Sequence, residues 1–160
     1  DAVSFTPKFF FTQLRENFDR KASPLREEAS RKNKDWHTVV TLASILEREI
    51  KTPDDFPTVS GILWKRLNAG WPLGADATLL YDDPDGSLSA QDLRRDSPYN
   101  TRIRPGLPPT PISNPGKDAL VSAIQPTENP NLYFLTGDDG KMYYSKNFAE
   151  HTKLKNKHIK

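Results

Sequence analysis

The chain has 160 residues, which is enough for one domain with a sizeable hydrophobic core. Its net charge of +2 gives no reason to expect a nucleic-acid partner, and its 28% charged and 35% hydrophobic residues are typical of a globular protein. The lack of cysteine excludes disulfides, thiolate metal sites and a cysteine nucleophile, and no apolar run approaches the roughly 20 residues of a membrane span.

Residues 1–37 predict two helices, which would form an arm or the remnant of a linker. A cap signal with proline at residues 4–7 opens an interrupted apolar stripe. Pro24 then restarts a second, strongly charged helix that ends at Arg31. We therefore expect the main domain to comprise residues 38–160.

An amphipathic helix over residues 39–50 carries two carboxylates at its C-terminal end. At about 100° per residue, its apolar stripe includes Glu47 at one edge, whereas Glu49 falls just outside the other. A glutamate against an apolar face suits a general acid, because removal of water favours the protonated carboxyl. The alternative is a solvated glutamate that only favours helix, since glutamate is rarely buried.

Short helices are predicted after this one. Pro53 ends it, and a new apolar stripe predicts a helix over residues 59–67. Asp76 and Ser89 are each expected to cap a further short helix, ending near residues 81 and 95.

A proline-rich stretch over residues 97–116 is predicted to form no regular element, because proline removes backbone donors and fixes φ. Its many side-chain donors and acceptors on a stiff backbone suit the wall of a binding cleft, and a rigid connector is the alternative. Asn114 then caps a helix from Pro115 to Ile124.

The C-terminal part predicts a hairpin and a last helix. Two strand-like runs, 132–136 and 141–145, flank the turn signal at 137–140, and residues 148–155 are expected to be helical. The predicted fold class is α+β, mostly helical, with a small antiparallel hairpin and a long ordered proline-rich loop.

The residue types disfavour several chemistries. The three histidines have neither a nucleophile motif nor the ligand spacing of a zinc site, and no glycine-rich phosphate loop is present, so we expect no metal and no cofactor. What remains is a glutamate at an apolar edge, together with aromatic side chains that can stack on pyranose rings: Trp36, Trp64, Trp71, Tyr81 and Tyr99. This combination indicates a carbohydrate site, because glycosidic cleavage needs an acid to protonate the leaving oxygen.

Seven short motifs follow one another in a specific order. They are LASILERE (42–49), LGADATLLY (73–81), SPYNT (97–101), GLPPTPI (106–112), NPG (114–116), LYF (132–134) and EH (150–151). As an ordered set they resemble the endolytic murein transglycosylases of the MltG (YceG-like) family, over about residues 38–155. The chain departs from the family at Gly74 and Ala75, where members commonly have Gln-Thr, and it shows neither the membrane span nor the LysM-like module that members usually carry.

The resemblance implies which residues form the site. The first glutamate of the family's helix motif is the catalytic acid and base, and it falls on Glu47, which leaves Glu49 a structural role. Four residues match cleft positions of the family and are expected to bind substrate: Asp76, Tyr99, Asn100 and Thr101.

The implied reaction is lytic cleavage of the MurNAc–GlcNAc bond inside peptidoglycan strands, without a cofactor, to give 1,6-anhydroMurNAc ends and so limit strand length. The resemblance also implies a parent protein anchored in the inner membrane through a segment absent here, with this catalytic domain (38–160) facing the periplasm beside cell-wall synthases. Two alternatives stay open. One is a lysozyme-like hydrolase with a second carboxylate, such as Asp76, to hold water; the other is a non-catalytic peptidoglycan-binding or assembly module.

Overall fold

A computed structural model describes residues 6–83 and 86–159. Six α-helices, two short 3-10 helices and one antiparallel hairpin account for the regular structure of this part, which confirms the α+β class. The helices are α1 (Pro7–Arg31), α2 (Trp36–Glu49), α3 (Phe56–Asn68), α4 (Asp76–Tyr81), α5 (Lys117–Ile124) and α6 (Phe148–His158), and the strands are β1 (Tyr133–Thr136) and β2 (Met142–Ser145).

The first helix is continuous, so the predicted break at Pro24 is wrong. Thr6 caps α1 by accepting a backbone N–H, within the cap signal predicted at residues 4–7, of which residues 4 and 5 lie outside the described residues. Pro24 is tolerated because the second half of α1 packs against α2 and α5, where Ala22 and Ala29 are buried. Tertiary packing thus outweighs the hydrogen bond that the proline removes. The predicted boundary after residue 37 stays a prediction.

The second helix lies at the centre of the hydrophobic core. Asp35 caps α2 by accepting the N–H of Thr38 at 2.8 Å. Residues 41–46 are all buried, and α3, α4 and α5 pack around the helix. Burial of a leucine such as Leu42 stabilises the fold by about 1.5–3 kcal/mol, so α2 is a rigid base for the residues at its end.

The predicted starts of α5 and of the helix after Ser89 differ from the structure. Asn114 was expected to cap α5, but the helix begins at Lys117 with Gly116 as its N-cap. The helix predicted after Ser89 is only a 3-10 turn, Asp92–Arg94. Here Ser89 donates its N–H to the Asp92 carboxylate at 2.8 Å, and side-chain to backbone bonds of this kind favour turns over helices.

The remaining elements are close to prediction. The cap predicted at Asp76 is wrong by one residue, because Asp76 is the first residue of α4 and Ala75 is its N-cap. Residues 97–116 contain no helix or strand, as predicted. β1 and β2 pair antiparallel, with Tyr133 opposite Ser145, which confirms the hairpin. None of the described helices is long and apolar enough to cross a membrane.

Candidate functional site

Glu47 is exposed on the last turn of α2, and its carboxylate is held by the backbone. Its Oε2 accepts the N–H of Gly116 at 3.0 Å, a contact between residues 69 positions apart in sequence. This bond brings the start of α5 to the end of α2 and fixes the carboxylate at the surface.

The proline-rich loop is tied to α2 one turn before Glu47. The N–H of Ile112 donates to Ser44 Oγ at 2.9 Å, and the hydroxyl of Ser113 donates to the Ser44 carbonyl oxygen at 2.9 Å. Ser44 is fully buried beneath this loop. With the Gly116 contact, these bonds hold the loop against the helix, which favours the interpretation of the loop as a cleft wall.

A groove of about 860 Å³ opens beside the Gly116 contact. Residues 14–25 of α1 contribute one wall, and residues 114–117 with Leu120 contribute the other. Gly116 both lines the groove and binds Glu47, whereas Glu47 itself is not a lining residue, so the groove lies on the other side of this one-residue contact.

Glu49 is the half-buried carboxyl, so the helical-wheel prediction for the two glutamates is wrong. Burial raises the pKa of Glu49, and the nearby Asp76 carboxylate acts in the same direction. The N–H of Ala77, which donates to Glu49 Oε1 at 3.1 Å, opposes that shift. Ile45, one turn earlier, is fully buried; including it in the apolar stripe would have placed Glu49 within the buried arc.

Asp76 lies beside Glu49 and is ion-paired with Arg102. The guanidinium donates from Nε to one carboxylate oxygen and from Nη2 to the other, the second at 2.9 Å. Hydrogen bonding to Asp76 raises the pKa of Arg102. Asp76, Glu49 and Arg102 line a second cavity of about 380 Å³. Nothing in the sequence singled out Arg102.

Tyr99 is half-buried and belongs to the loop surface. Its hydroxyl is 2.8 Å from the hydroxyl of Thr110, and its ring centroid lies 5.3 Å from that of Tyr81. Tyr81 is 54% exposed, so the pair offers an accessible aromatic surface.

Asn100 and Thr101 support the site from beneath. The Asn100 amide donates to the carbonyl oxygens of Leu93 at 3.3 Å and Arg95 at 2.8 Å, and the Thr101 hydroxyl oxygen accepts the N–H of Ala75 at 3.1 Å. Asn100 is 0% and Thr101 2% exposed. Their polar groups bind the protein itself, so the geometry supports a role in positioning the loop and α4 and not a contact with substrate.

The arrangement therefore contains two carboxyl sites, one at each side of the end of α2. Glu47 is hydrogen-bonded to Gly116, which lines the large groove, and Glu49 and Asp76 line the second cavity. Within residues 6–83 and 86–159, no three histidine, aspartate or glutamate side chains are grouped so that they could hold a metal ion.

Similar proteins were identified by sequence. An endolytic murein transglycosylase from Streptococcus pneumoniae serotype 2 is 32% identical over 151 residues, covering 88% of this chain and 27% of that protein. One from Bacillus subtilis (strain 168) is 36% identical over 125 residues, covering 77% of this chain and 35% of that protein. The chain thus spans about a third or less of these relatives.

The fold has a solved counterpart, and a family model covers nearly the whole chain. The crystal structure of a yceG-like protein from Listeria monocytogenes matches with a TM-score of 0.89 and 32% identity, over 96% of this chain and 51% of that one. The model of the YceG-like family matches residues 3–157, which includes α1. The chain belongs to the YceG-like family.

Proposed function

We propose that this chain is the catalytic part of a lytic transglycosylase, which cleaves the MurNAc–GlcNAc bond inside peptidoglycan strands. The observation that carries the proposal is an exposed carboxylate, Glu47, held by the N–H of Gly116, a residue that lines a groove of about 860 Å³. The names of the similar S. pneumoniae and B. subtilis proteins support the same reaction class.

In this mechanism Glu47 acts first as an acid and then as a base. Protonated Glu47 donates its proton to the glycosidic oxygen, and the bond between that oxygen and C1 of MurNAc breaks. The C6 hydroxyl of the same MurNAc attacks C1 and closes the 1,6-anhydro ring. Ionised Glu47 accepts the proton that this hydroxyl releases, so no water is consumed and Glu47 is again protonated.

The protein positions the Glu47 carboxylate, and the bound substrate excludes water from it. Glu47 is exposed, so the bound strand has to exclude water from it before it can act as an acid. The Gly116 N–H keeps the carboxylate in place between the two proton transfers. The substrate's own acetamido group, or dipoles of the cleft, stabilises the oxocarbenium-like transition state.

Glu49 is the alternative acid, because burial raises its pKa. Its Oε1 is engaged by the Ala77 N–H, which ties α2 to α4. That contact suits a structural group, in keeping with the role that the family resemblance implies.

Hydrolysis would need a second carboxylate, and Asp76 is the candidate. Both oxygens of Asp76 accept hydrogen bonds from Arg102, so a role in holding water would require this ion pair to open. Asp76 also lies with Glu49 and not at the Gly116 contact. These contacts favour the lytic reaction.

Asp76 and Tyr99 are the predicted substrate-binding residues that the structure leaves accessible. Asp76 lines the second cavity, and Tyr99 packs against the exposed ring of Tyr81. We propose that these two contact the strand, whereas Asn100 and Thr101 position the segments that carry them.

The test is digestion of purified glycan strands, with the product masses as readout. The native chain should produce anhydromuramyl ends, and Glu47→Gln should lower the rate by about 10²–10⁴-fold at an unchanged melting temperature. Glu49→Gln is the matched control and should stay within about tenfold of the native rate.

Three other outcomes of this digestion would each support a different function or a different catalytic acid. Reducing ends, one water heavier, indicate a hydrolase, and no cleavage by the folded native chain indicates a binding or assembly module. Full activity of Glu47→Gln together with an inactive Glu49→Gln would assign the acid to Glu49.

We also propose, from the family resemblance, that the parent protein is anchored in the inner membrane and that this domain faces the periplasm beside a cell-wall synthase. We further propose that the parent protein limits the length of glycan strands. Membrane fractionation and cross-linking of the tagged parent protein test its location and its partner. Glycan strand lengths measured after depletion of the parent protein test whether it limits them, and unchanged lengths would contradict this proposal.

A further inference from the structure

We propose that the groove between α1 and residues 114–117 binds the peptide carried by the muramyl residue at the cleaved bond, through the carboxylates of that peptide. The inference rests on the proposed function, because it assumes that Glu47 meets a peptidoglycan strand.

The charge of the groove favours an anionic ligand. Among the described residues that line it, the charged side chains are all cations: Arg15 and Lys21 on α1, and Lys117 at the start of α5. Arg15 also lies 3.6 Å from Asp19, with side chains 84% and 62% exposed. Exposed pairs of this kind are weak, so a ligand carboxylate can replace Asp19.

The start of α5 adds to this positive potential. Its N-cap, Gly116, provides no side-chain acceptor for the first backbone N–H groups. A lysine in the first turn opposes the helix dipole, so helix stability does not account for Lys117. Asp118, in the same turn, offsets part of this charge.

Between the cations the groove is mostly apolar, with one aromatic ring, Phe18, and two amides, Asn17 and Asn114. Leu14, Leu25 and Leu120 line it, and Leu14 is 49% exposed. The N-acetylated sugars of a peptide-bearing strand are uncharged and rich in hydroxyls, whereas the stem peptide combines free carboxylates with alanine methyl groups. The three cations therefore distinguish the peptide from the sugars, because only the peptide offers them carboxylates, and the apolar side chains fit its methyl groups.

The position of the groove matches the point at which the peptide leaves the sugar. MurNAc supplies the C6 hydroxyl in the reaction, and the same sugar carries the peptide on its lactyl group. Gly116 joins Glu47 to the groove. The α1 wall between Leu14 and Leu25 is about 16 Å long at roughly 1.5 Å per residue, close to an extended peptide of five residues at about 3.3 Å each.

The test compares peptide-bearing strands with strands from the same preparation whose peptides have been removed by an amidase. In the double variant Lys21→Glu, Lys117→Glu, the ratio of kcat/KM on peptide-bearing strands to that on denuded strands should fall about tenfold. Lys153→Glu, an exposed change on α6, is the control and should leave the ratio unchanged. An unchanged ratio in the double variant would overturn the inference. A rise in the ratio would also do so, because it would mean that the groove binds the lactyl carboxylate of denuded strands.

A binding measurement separates this inference from the proposed reaction. The probe is a fluorescent N-acetylated tetrapeptide of the stem, L-Ala, γ-D-Glu, L-Lys, D-Ala, beside the same peptide with both carboxylates amidated. The native chain should bind the acidic form at least about fivefold more tightly, and the double variant should lose that preference. Binding without any strand cleavage would refute the proposed function alone. Cleavage with equal binding of both peptides would refute the role of the groove alone.

Discussion

Substitution of Gly116 by alanine perturbs the contact that holds Glu47. Gly116 has φ −73° and ψ 173°, which alanine adopts without strain, so the added methyl group is the main change. Its Cβ would lie 3.3 Å from Glu47 Oε2 and 3.9 Å from both Cδ and Oε1. Comfortable contacts begin near 3.5 Å, so the carboxylate has to retreat by roughly 0.2–0.5 Å and the 3.0 Å bond from the Gly116 N–H lengthens.

The size of the effect on the rate follows from that displacement. A misplacement of 1 Å at a reacting group costs up to about 10²-fold, so a retreat of a few tenths of an ångström should lower the rate of lytic cleavage about three- to tenfold. Alanine is also a poorer N-cap than glycine, and we expect about 0.5–1 kcal/mol less stability from this change at the start of α5.

The assay counts anhydromuramyl ends per minute at saturating strand concentration, with the melting temperature measured on the same samples. Gly116→Ser is the matched control, because it adds the same Cβ but supplies a good N-cap. It should recover the stability without recovering the rate. Full activity of Gly116→Ala, or recovery of both properties in Gly116→Ser, would refute the reasoning that this glycine positions Glu47.

Three further positions, one half-buried and two buried, lead to predictions about stability. Glu49→Gln should stabilise the fold at pH 7, because burial raises the pKa of Glu49 in the folded state. A carboxyl with a raised folded-state pKa costs the protein stability as pH rises from the unfolded value of 4.5 through the folded value, whereas glutamine stays neutral and still accepts the Ala77 N–H. The gain should vanish below pH 4 in urea unfolding, and an equal gain at both pH values would contradict the assignment. Asn100→Ala should lower the free energy of unfolding by about 2–4 kcal/mol, because it leaves buried backbone groups without their partner; a urea titration that shows less than about 1 kcal/mol would argue against that role. Gly61→Ala should lower it by about 1–3 kcal/mol, because the new Cβ would overlap the Thr127 carbonyl oxygen, and an unchanged melting temperature would count against this contact.

The prediction for the two glutamates failed because the buried arc of α2 is not a single apolar stripe. Ser44 is polar, yet it is fully buried beneath the loop that bonds to it from Ile112. Glu49 is covered at the start of α4, through the contact with Ala77. Glu47 lies on the arc that these segments leave exposed, and a helical wheel has no information about either covering segment.

A similar distinction applies to the substrate-binding residues. The motif at residues 97–101 is correctly placed in a loop, but it does not reveal which of its side chains point inward. Asn100 is buried because it satisfies the carbonyl oxygens of Leu93 and Arg95 across a tight turn, and buried polar groups need such partners. Tyr99 remains at the surface, beside Tyr81.

The sequence by itself determined the features whose partners are close along the chain. Asp35 caps α2 through a residue three positions away, and the hairpin pairs Thr136 with Met142 across a short turn. The ordered motifs also identified the family and the glutamate to be tested. Only the tertiary structure decided which carboxyl is exposed, which is buried and where the groove lies. The reason is that loss of solvent and the donors around a carboxyl come from segments that meet only on folding; Gly116, which binds Glu47, is 69 residues away.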